Sequence, residues 1–257
     1  MIQAHDRIEA DELRKGAVVS EYVVDGAGEP TIVFEAGLGD GLKVWSAVIS
    51  ELKGVTRSFA YNRAGYGESR SPHKVRDGLV IVEELRSLLR ELNYTPPHIL
   101  VGHSLGSAYM EIFAQTHPEE VCGLLLVDPM TSEMDELCRE EGITEWNTPL
   151  FRRILISLFM PRAAKRELRM RKRALTQRTE RVPSANAFPV TIITAGKGMW
   201  SSRLQAAWLN SHLLLAKQYS NCCHVVEKES GHHVQTDNPR FVAAQILSLL
   251  ERTSVNQ

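Results

Sequence analysis

Apolar residues follow two rhythms along this chain. Short runs rich in β-branched and aromatic residues, at 18–24, 31–34, 58–61, 98–101, 123–127, 190–194 and 224–226, predict β-strands. Between them lie stretches in which apolar residues recur every three or four positions. At 80–92, Val82, Leu85, Leu88, Leu89 and Leu92 predict a helix that Asn93 and the Pro96-Pro97 pair bring to a stop. Helices are predicted in the same way over 45–52, 107–115, 203–217 and 240–251. Strands that alternate with helices predict an α/β fold, a mostly parallel sheet with helices on both faces. The uninterrupted apolar run at 123–127 fits a parallel strand buried on both sides. The alternation lapses between Asp128 and Val190, a much longer interval than the dozen or so residues a crossover needs. A helical lid over residues 131–187, inserted after the strand ending at Asp128 into a single domain spanning 1–257, is the expectation. With no internal repeat and no low-complexity linker, nothing argues for a second domain.

Composition narrows the class without choosing a function. The 257 residues suffice for one substantial core. Lys and Arg number 30 against 31 Asp and Glu, so no global field points to nucleic acid or to a membrane. The balance is uneven locally: between 150 and 182, eleven Lys and Arg face only Glu167 and Glu180. Ahead of the densest part, Leu150, Phe151, Ile154, Leu155, Leu158 and Phe159 fall at helical spacing, as in an amphipathic lid followed by a basic helix. Such a stretch can touch an anionic membrane surface or an anionic substrate, but a core-facing helix with a solvated opposite face is the favoured reading. No run approaches the roughly 20 apolar residues that span a bilayer, and residues 1–15 are charged and lack a signal-peptide core. A soluble, cytoplasmic protein is expected. Cys122, Cys138, Cys222 and Cys223 form no C-x-x-C pair and no metal-type array with the histidines. They are expected to be reduced, with Cys122 buried beside an apolar run.

The stretch most informative about chemistry is Gly102-His103-Ser104-Leu105-Gly106, which follows an apolar run and precedes a helical pattern. In the order strand, sharp turn, helix, this spacing holds the central Ser in a strained conformation with its hydroxyl exposed at a strand end. Ser104 is therefore the candidate nucleophile. A serine hydroxyl needs a base, and the base an orienting partner. The candidate base is His232, in a loop after the last predicted strand and before the last helix; its neighbour His233 has the same spacing.

Three features together identify a resemblance to the α/β-hydrolase superfamily over nearly the full chain: the Gly102–Gly106 elbow, Gly37-Leu38-Gly39 after a strand, and Gly231-His232 before the final helix. The segment Tyr61-Asn62-Arg63-Ala64-Gly65-Tyr66-Gly67-Glu68-Ser69 resembles the superfamily's Asp-Arg-x-Gly-x-Gly-x-Ser stretch, with Asn62 at the place of the Asp, a change read as structural. The resemblance implies an oxyanion hole made by the backbone N–H groups of Leu38 and Leu105. It implies no metal, nucleotide or organic cofactor. Many relatives place the acid after the strand matching 190–194, but here residues 195–201 hold no carboxylate. Asp128, at the end of the preceding strand, is the position other relatives use. It also fits as a cap of the following segment, with Glu133, Asp135, Glu229 and Asp237 as weaker substitutes and a Ser–His dyad as another option.

These features predict a serine hydrolase, a carboxylesterase acting on a small or medium apolar ester through an acyl-enzyme. Its partner is a small-molecule substrate rather than nucleic acid. A non-enzymatic ligand sensor or partner-binding protein on the same fold is the alternative, its main support being the missing carboxylate after Thr194. Neither oligomeric state nor natural substrate is written in the pattern.

Overall fold

A computed structural model of the chain describes residues 21–70, 75–143, 160–179, 188–198 and 201–254. Its centre is a seven-stranded sheet: β1 (Tyr22–Asp25), β2 (Ile32–Glu35), β3 (Ser58–Tyr61), β4 (His98–His103), β5 (Val121–Val127), β6 (Val190–Ala195) and β7 (Cys222–Glu227), in the order β1-β3-β2-β4-β5-β6-β7. Only β1 runs antiparallel, against β3; the other neighbours are parallel, as the alternation of strand and helix predicts. Residues 18–20 of the first expected strand lie outside the described residues.

Each central strand feeds two cores, because successive side chains point to opposite faces. Val33, Leu100, Leu124, Leu126 and Ile192 join one core. Ile32, Phe34, Val101, Leu125 and Ile193 join the other. The first core is closed by α2 (Gly78–Glu91), α3 (Leu105–Thr116) and α5 (Arg162–Thr179), and the second by α1 (Ser46–Glu51) and α8 (Pro239–Ser254). Helix α6 (Ser202–Ala216) packs with α4 (Ser132–Glu140) and a short α7 (Val234–Asp237) precedes α8. Side-chain oxygens of Asp77, Thr131 and Ser201 cap α2, α4 and α6, accepting from the N–H groups of Val80, Met134 and Leu204.

The interval expected to be an insertion contains α4 and α5. The amphipathic stretch at 150–159 lies outside the described residues. Helix α5 has a buried face and a solvated face, but the buried face is not purely apolar. Ala163, Ala164, Ala174 and Leu175 are buried alongside Glu167, Gln177 and Arg178, while Arg162, Arg169 and Lys172 face solvent. All four cysteines are free. Cys122 is half-buried rather than buried, because it packs at the edge of a core cluster; Cys138 is the fully buried thiol. No described helix is long and apolar enough to cross a membrane.

Candidate active site

The elbow forms where β4 meets α3, and its geometry explains both glycines. Ser104 has φ +53°, a left-handed backbone that L-residues rarely adopt. A Cβ on Gly102 would come within 2.6 Å of the Ser107 Cα, and one on Gly106 within 2.5 Å of the Ala36 carbonyl oxygen. Only hydrogen fits at either place, so the turn can press strand, helix and neighbouring loop together. Helix α3 starts at Leu105, two residues earlier than its pattern predicts, because Gly106 serves this close approach inside the first turn.

The parallel register then brings the acid alongside. His103 lies opposite Val127, so the residues that follow, Ser104 and Asp128, leave the same sheet edge together. Two main-chain bonds lock them: the Ser104 N–H donates to the Val127 carbonyl at 3.0 Å and the Met130 N–H to the Ser104 carbonyl at 3.1 Å. Asp128 also has a positive φ, +43°. Its Oδ1 accepts from the Ala195 N–H and from the Trp208 Nε1–H, both at 2.8 Å. Its Oδ2 accepts from His232 Nδ1 at 2.6 Å, and His232 Nε2 stands 3.0 Å from Ser104 Oγ. Asp128 is wholly buried, whereas the His232 side chain is about a third exposed, at 34 %. Burial opposes the charge on Asp128, but the His232 hydrogen bond and charge, His212 nearby and the Ala195 N–H outweigh it and hold the carboxyl below its ordinary value. A buried carboxylate that fixes an imidazole's Nδ1–H, leaving Nε2 to face a hydroxyl, is the arrangement that makes serine nucleophilic.

A second imidazole near Asp128 is held apart from this chain. His212 Nε2–H donates to the Pro129 carbonyl at 2.8 Å, and its Nδ1 accepts from Thr194 Oγ1 at 2.7 Å. Burial, only partly offset by Asp128, lowers its pKa to about 4 and keeps it neutral.

Leu38 and Leu105 converge on the same edge. Leu105 opens α3, so its N–H is one of those a helix leaves unpaired at its start. Leu38 belongs to a turn closed by Asp40 N–H to Gly37 carbonyl at 3.3 Å. Arg63 clamps this turn from behind: its guanidinium donates to the carbonyls of Ala36 (2.6 Å) and Gly37 (2.8 Å), to Glu35, and to both carboxylate oxygens of Glu167 (3.0 and 2.9 Å). Tyr66 Oη donates to Glu167 at 2.8 Å, and Ala163 and Ala164 of α5 pack on Tyr66 and Leu38. Asn62 is structural: its Oδ1 accepts from the Leu42 N–H at 2.8 Å and its Nδ2 donates to Glu21 at 2.6 Å.

The weaker acid candidates have other partners. Glu133 pairs with Arg178, Glu229 with Lys197, Asp135 approaches Arg171 at 3.9 Å, and Asp237 accepts from the Gly231 N–H, shaping the loop that carries His232. His233 does not face Ser104; its Nε2 lies 3.3 Å from Asp40. Three participants were missed in the sequence: Glu167, hidden in a basic run, and Asp40 and His103, hidden in motif positions that any residue can fill. His103 Nε2–H donates to the His232 main-chain carbonyl at 2.9 Å, tying the elbow to the loop of the base.

Comparison with known proteins agrees with this architecture. The Bacillus subtilis uncharacterized protein YqjL is 24% identical over 218 residues, covering 84% of this chain and 82% of its own. A putative carbamate hydrolase, RutD of Serratia proteamaculans, is 35% identical over 102 residues, 38% of this chain and 37% of RutD. A thermophilic esterase from Thermogutta terrifontis superposes with a TM-score of 0.63 at 20% identity, covering 91% of this chain and 93% of the esterase. The family profile described as alpha/beta hydrolase fold matches residues 30–241, and this chain belongs to that family.

Proposed function

We propose that this protein is a serine hydrolase of carboxylic esters that works through an acyl-enzyme. The observation that carries the reading is the unbroken path from Asp128 Oδ2 through the His232 imidazole to Ser104 Oγ, with legs of 2.6 and 3.0 Å. His232 Nε2 takes the hydroxyl proton as Ser104 Oγ attacks the ester carbonyl carbon. The resulting oxyanion is held by the N–H groups of Leu38 and Leu105, a contribution worth roughly 10²- to 10³-fold in rate per donor. As the C–O bond to the alcohol breaks, His232 returns the proton to the leaving oxygen. Water, deprotonated by the same nitrogen, then attacks the acyl carbon, and His232 returns that proton to Ser104 Oγ as the acyl–Oγ bond breaks and the acid leaves. Asp128 fixes the imidazole tautomer and stabilises its cation without itself taking the proton.

The printed names of relatives and structural neighbours, esterase, lipase and carbamate hydrolase, support acyl-group hydrolysis as the reaction class. The apolar residues in the sequence at 150–159 favour an acyl chain over a sugar. The non-enzymatic alternative rests on the missing carboxylate after Thr194; the Asp128 carboxylate, 2.6 Å from His232 Nδ1, supports the enzymatic reading instead. Incubation with a fluorophosphonate probe is the test. Wild-type protein is expected to be labelled covalently and Ser104→Ala to stay unlabelled; a folded wild type that the probe ignores would overturn the reading.

A further inference from the structure

Beside the proposed catalytic chain, three loops bring a second set of donors together. Asp40 comes from the turn after β2, His103 from the end of β4 and His233 from the loop after β7. The Asp40 Oδ2 lies 3.5 Å from His103 Nδ1 and 3.3 Å from His233 Nε2, and all three donor atoms lie within 4.8 Å of one another. The protonation of His103 makes this cluster more than a hydrogen-bonded triplet. Its Nε2 faces a carbonyl oxygen, which accepts only from an N–H, so that nitrogen carries the proton. Nδ1 is fully buried, makes no hydrogen bond, and lies 3.5 Å from the Asp40 carboxylate. With His103 Nδ1 on one side and His233 Nε2 on the other, the Asp40 carboxylate has a nitrogen on each side at the spacing of a coordination shell.

We infer that Asp40, His103 and His233 form a binding site for a divalent transition-metal cation of the zinc type, through Oδ2, Nδ1 and Nε2 respectively. With metal–nitrogen and metal–oxygen bonds of about 2.0 to 2.1 Å, the edges of a tetrahedron are roughly 3.3 Å. The two donor separations at Asp40 match that edge. The third closes by rotation of the His233 ring, whose side chain is half-exposed and leaves the fourth position to water. The room comes from Gly37: a Cβ there would sit 2.8 Å from His103 Nδ1 and 3.0 Å from Asp40 Oδ2. The outer partner fits as well, since a metal-bound imidazole ordinarily donates its other N–H to a carbonyl or carboxylate, and His103 donates to the His232 carbonyl. Two nitrogens and one oxygen suit zinc, cobalt or nickel better than calcium or magnesium, which favour oxygen. A cation here fastens the elbow, the Leu38 turn and the His232 loop to one another.

Cobalt(II) titration followed by visible absorption, together with equilibrium dialysis of zinc, tests the site without reference to turnover. Wild type and Ser104→Ala are both expected to bind one equivalent, with the absorption bands of tetrahedral cobalt(II). The binding weakens by more than about 100-fold in His233→Ala and in Asp40→Asn, beyond what losing a merely orienting partner does. Circular dichroism checks that both variants are folded. The inference is overturned by absence of stoichiometric binding to folded wild type, by binding that survives both substitutions and so belongs to the cysteines, or by equal affinity for magnesium. Because Ser104→Ala keeps all three ligands, loss of probe labelling and loss of metal binding are separate results.

Discussion

Two buried carboxylates hold a nitrogen base near the same sheet edge, and they do opposite things. Asp128 holds an imidazole, and its chain of hydrogen bonds runs outward to a partly exposed nitrogen and a hydroxyl. Glu167 shares with Glu35 a guanidinium that is never neutral, with every side chain in the group buried. Burial pushes Glu35 above the ordinary carboxyl range against the pull of Arg63, and the guanidinium's donors are spent on two carboxylates and two carbonyls. The first arrangement is open at one end and can pass a proton. The second is closed and can only hold the Leu38 turn against α5. Burial of an ion pair thus does not mark a reactive site; an unsaturated terminus on the pair does.

That contrast predicts that damage to the first network appears in rate and damage to the second in stability. Ser104→Ala should lose probe labelling and lower ester hydrolysis by roughly five to six orders of magnitude with an unchanged urea midpoint. A large shift in that midpoint would blur the distinction. Asp128→Asn should lower kcat about 10⁴-fold in a folded protein, through the wrong imidazole tautomer; near-normal turnover would remove Asp128 from the mechanism. Arg63→Met leaves Glu35 buried without its cation and Glu167 with only Arg76, at 3.4 Å, and should cost about 3 to 5 kcal/mol in urea unfolding. If that variant unfolds like wild type, the clamp is ornamental.

The smallest effect sharpens the comparison within Asp128's own surroundings. Burial lowers the pKa of His212 in the folded protein to about 4, from an ordinary 6.5. Between those values the unfolded chain takes up a proton that the native protein refuses, so stability falls as pH drops through this window, by up to about 3 kcal/mol for this group. It is fully retained above the window. His212→Asn should flatten that part of the stability–pH curve; an unchanged slope would assign it to other buried histidines.

The legible parts of the molecule were those encoded locally or by strand order. The elbow is five consecutive residues, and Asp128 follows from the rule that adjacent parallel strands end at one edge. His232 needed only its place between the last strand and the last helix. Glu167 was illegible because its partner Arg63 is 104 residues away, and one acid in a basic run looks like dilution of surface charge. The basic run itself divides by burial: Arg178 turns inward to Glu111 and Glu133, while Arg169 and Lys172 face water. Asp40 and His103 were illegible for a different reason. Both sit in or beside the glycine motifs, at positions whose residue type the pattern leaves open, and only the folded chain brings them together.

The two main-chain bonds that lock Ser104 to the strand of Asp128 have a consequence for time rather than space. Ser104 and Asp128, the proposed nucleophile and acid, lie 24 positions apart at the ends of adjoining strands, so they can take their places while the chain is still being synthesised. The base arrives 104 residues after the acid and only once β6 and β7 have been added to the growing edge. Since domains are built from the N-terminus at about 5 to 20 residues per second, a nascent chain carries its serine for several seconds before anything can deprotonate it. On the proposed reading, it is the loop after β7 that switches the hydrolase on.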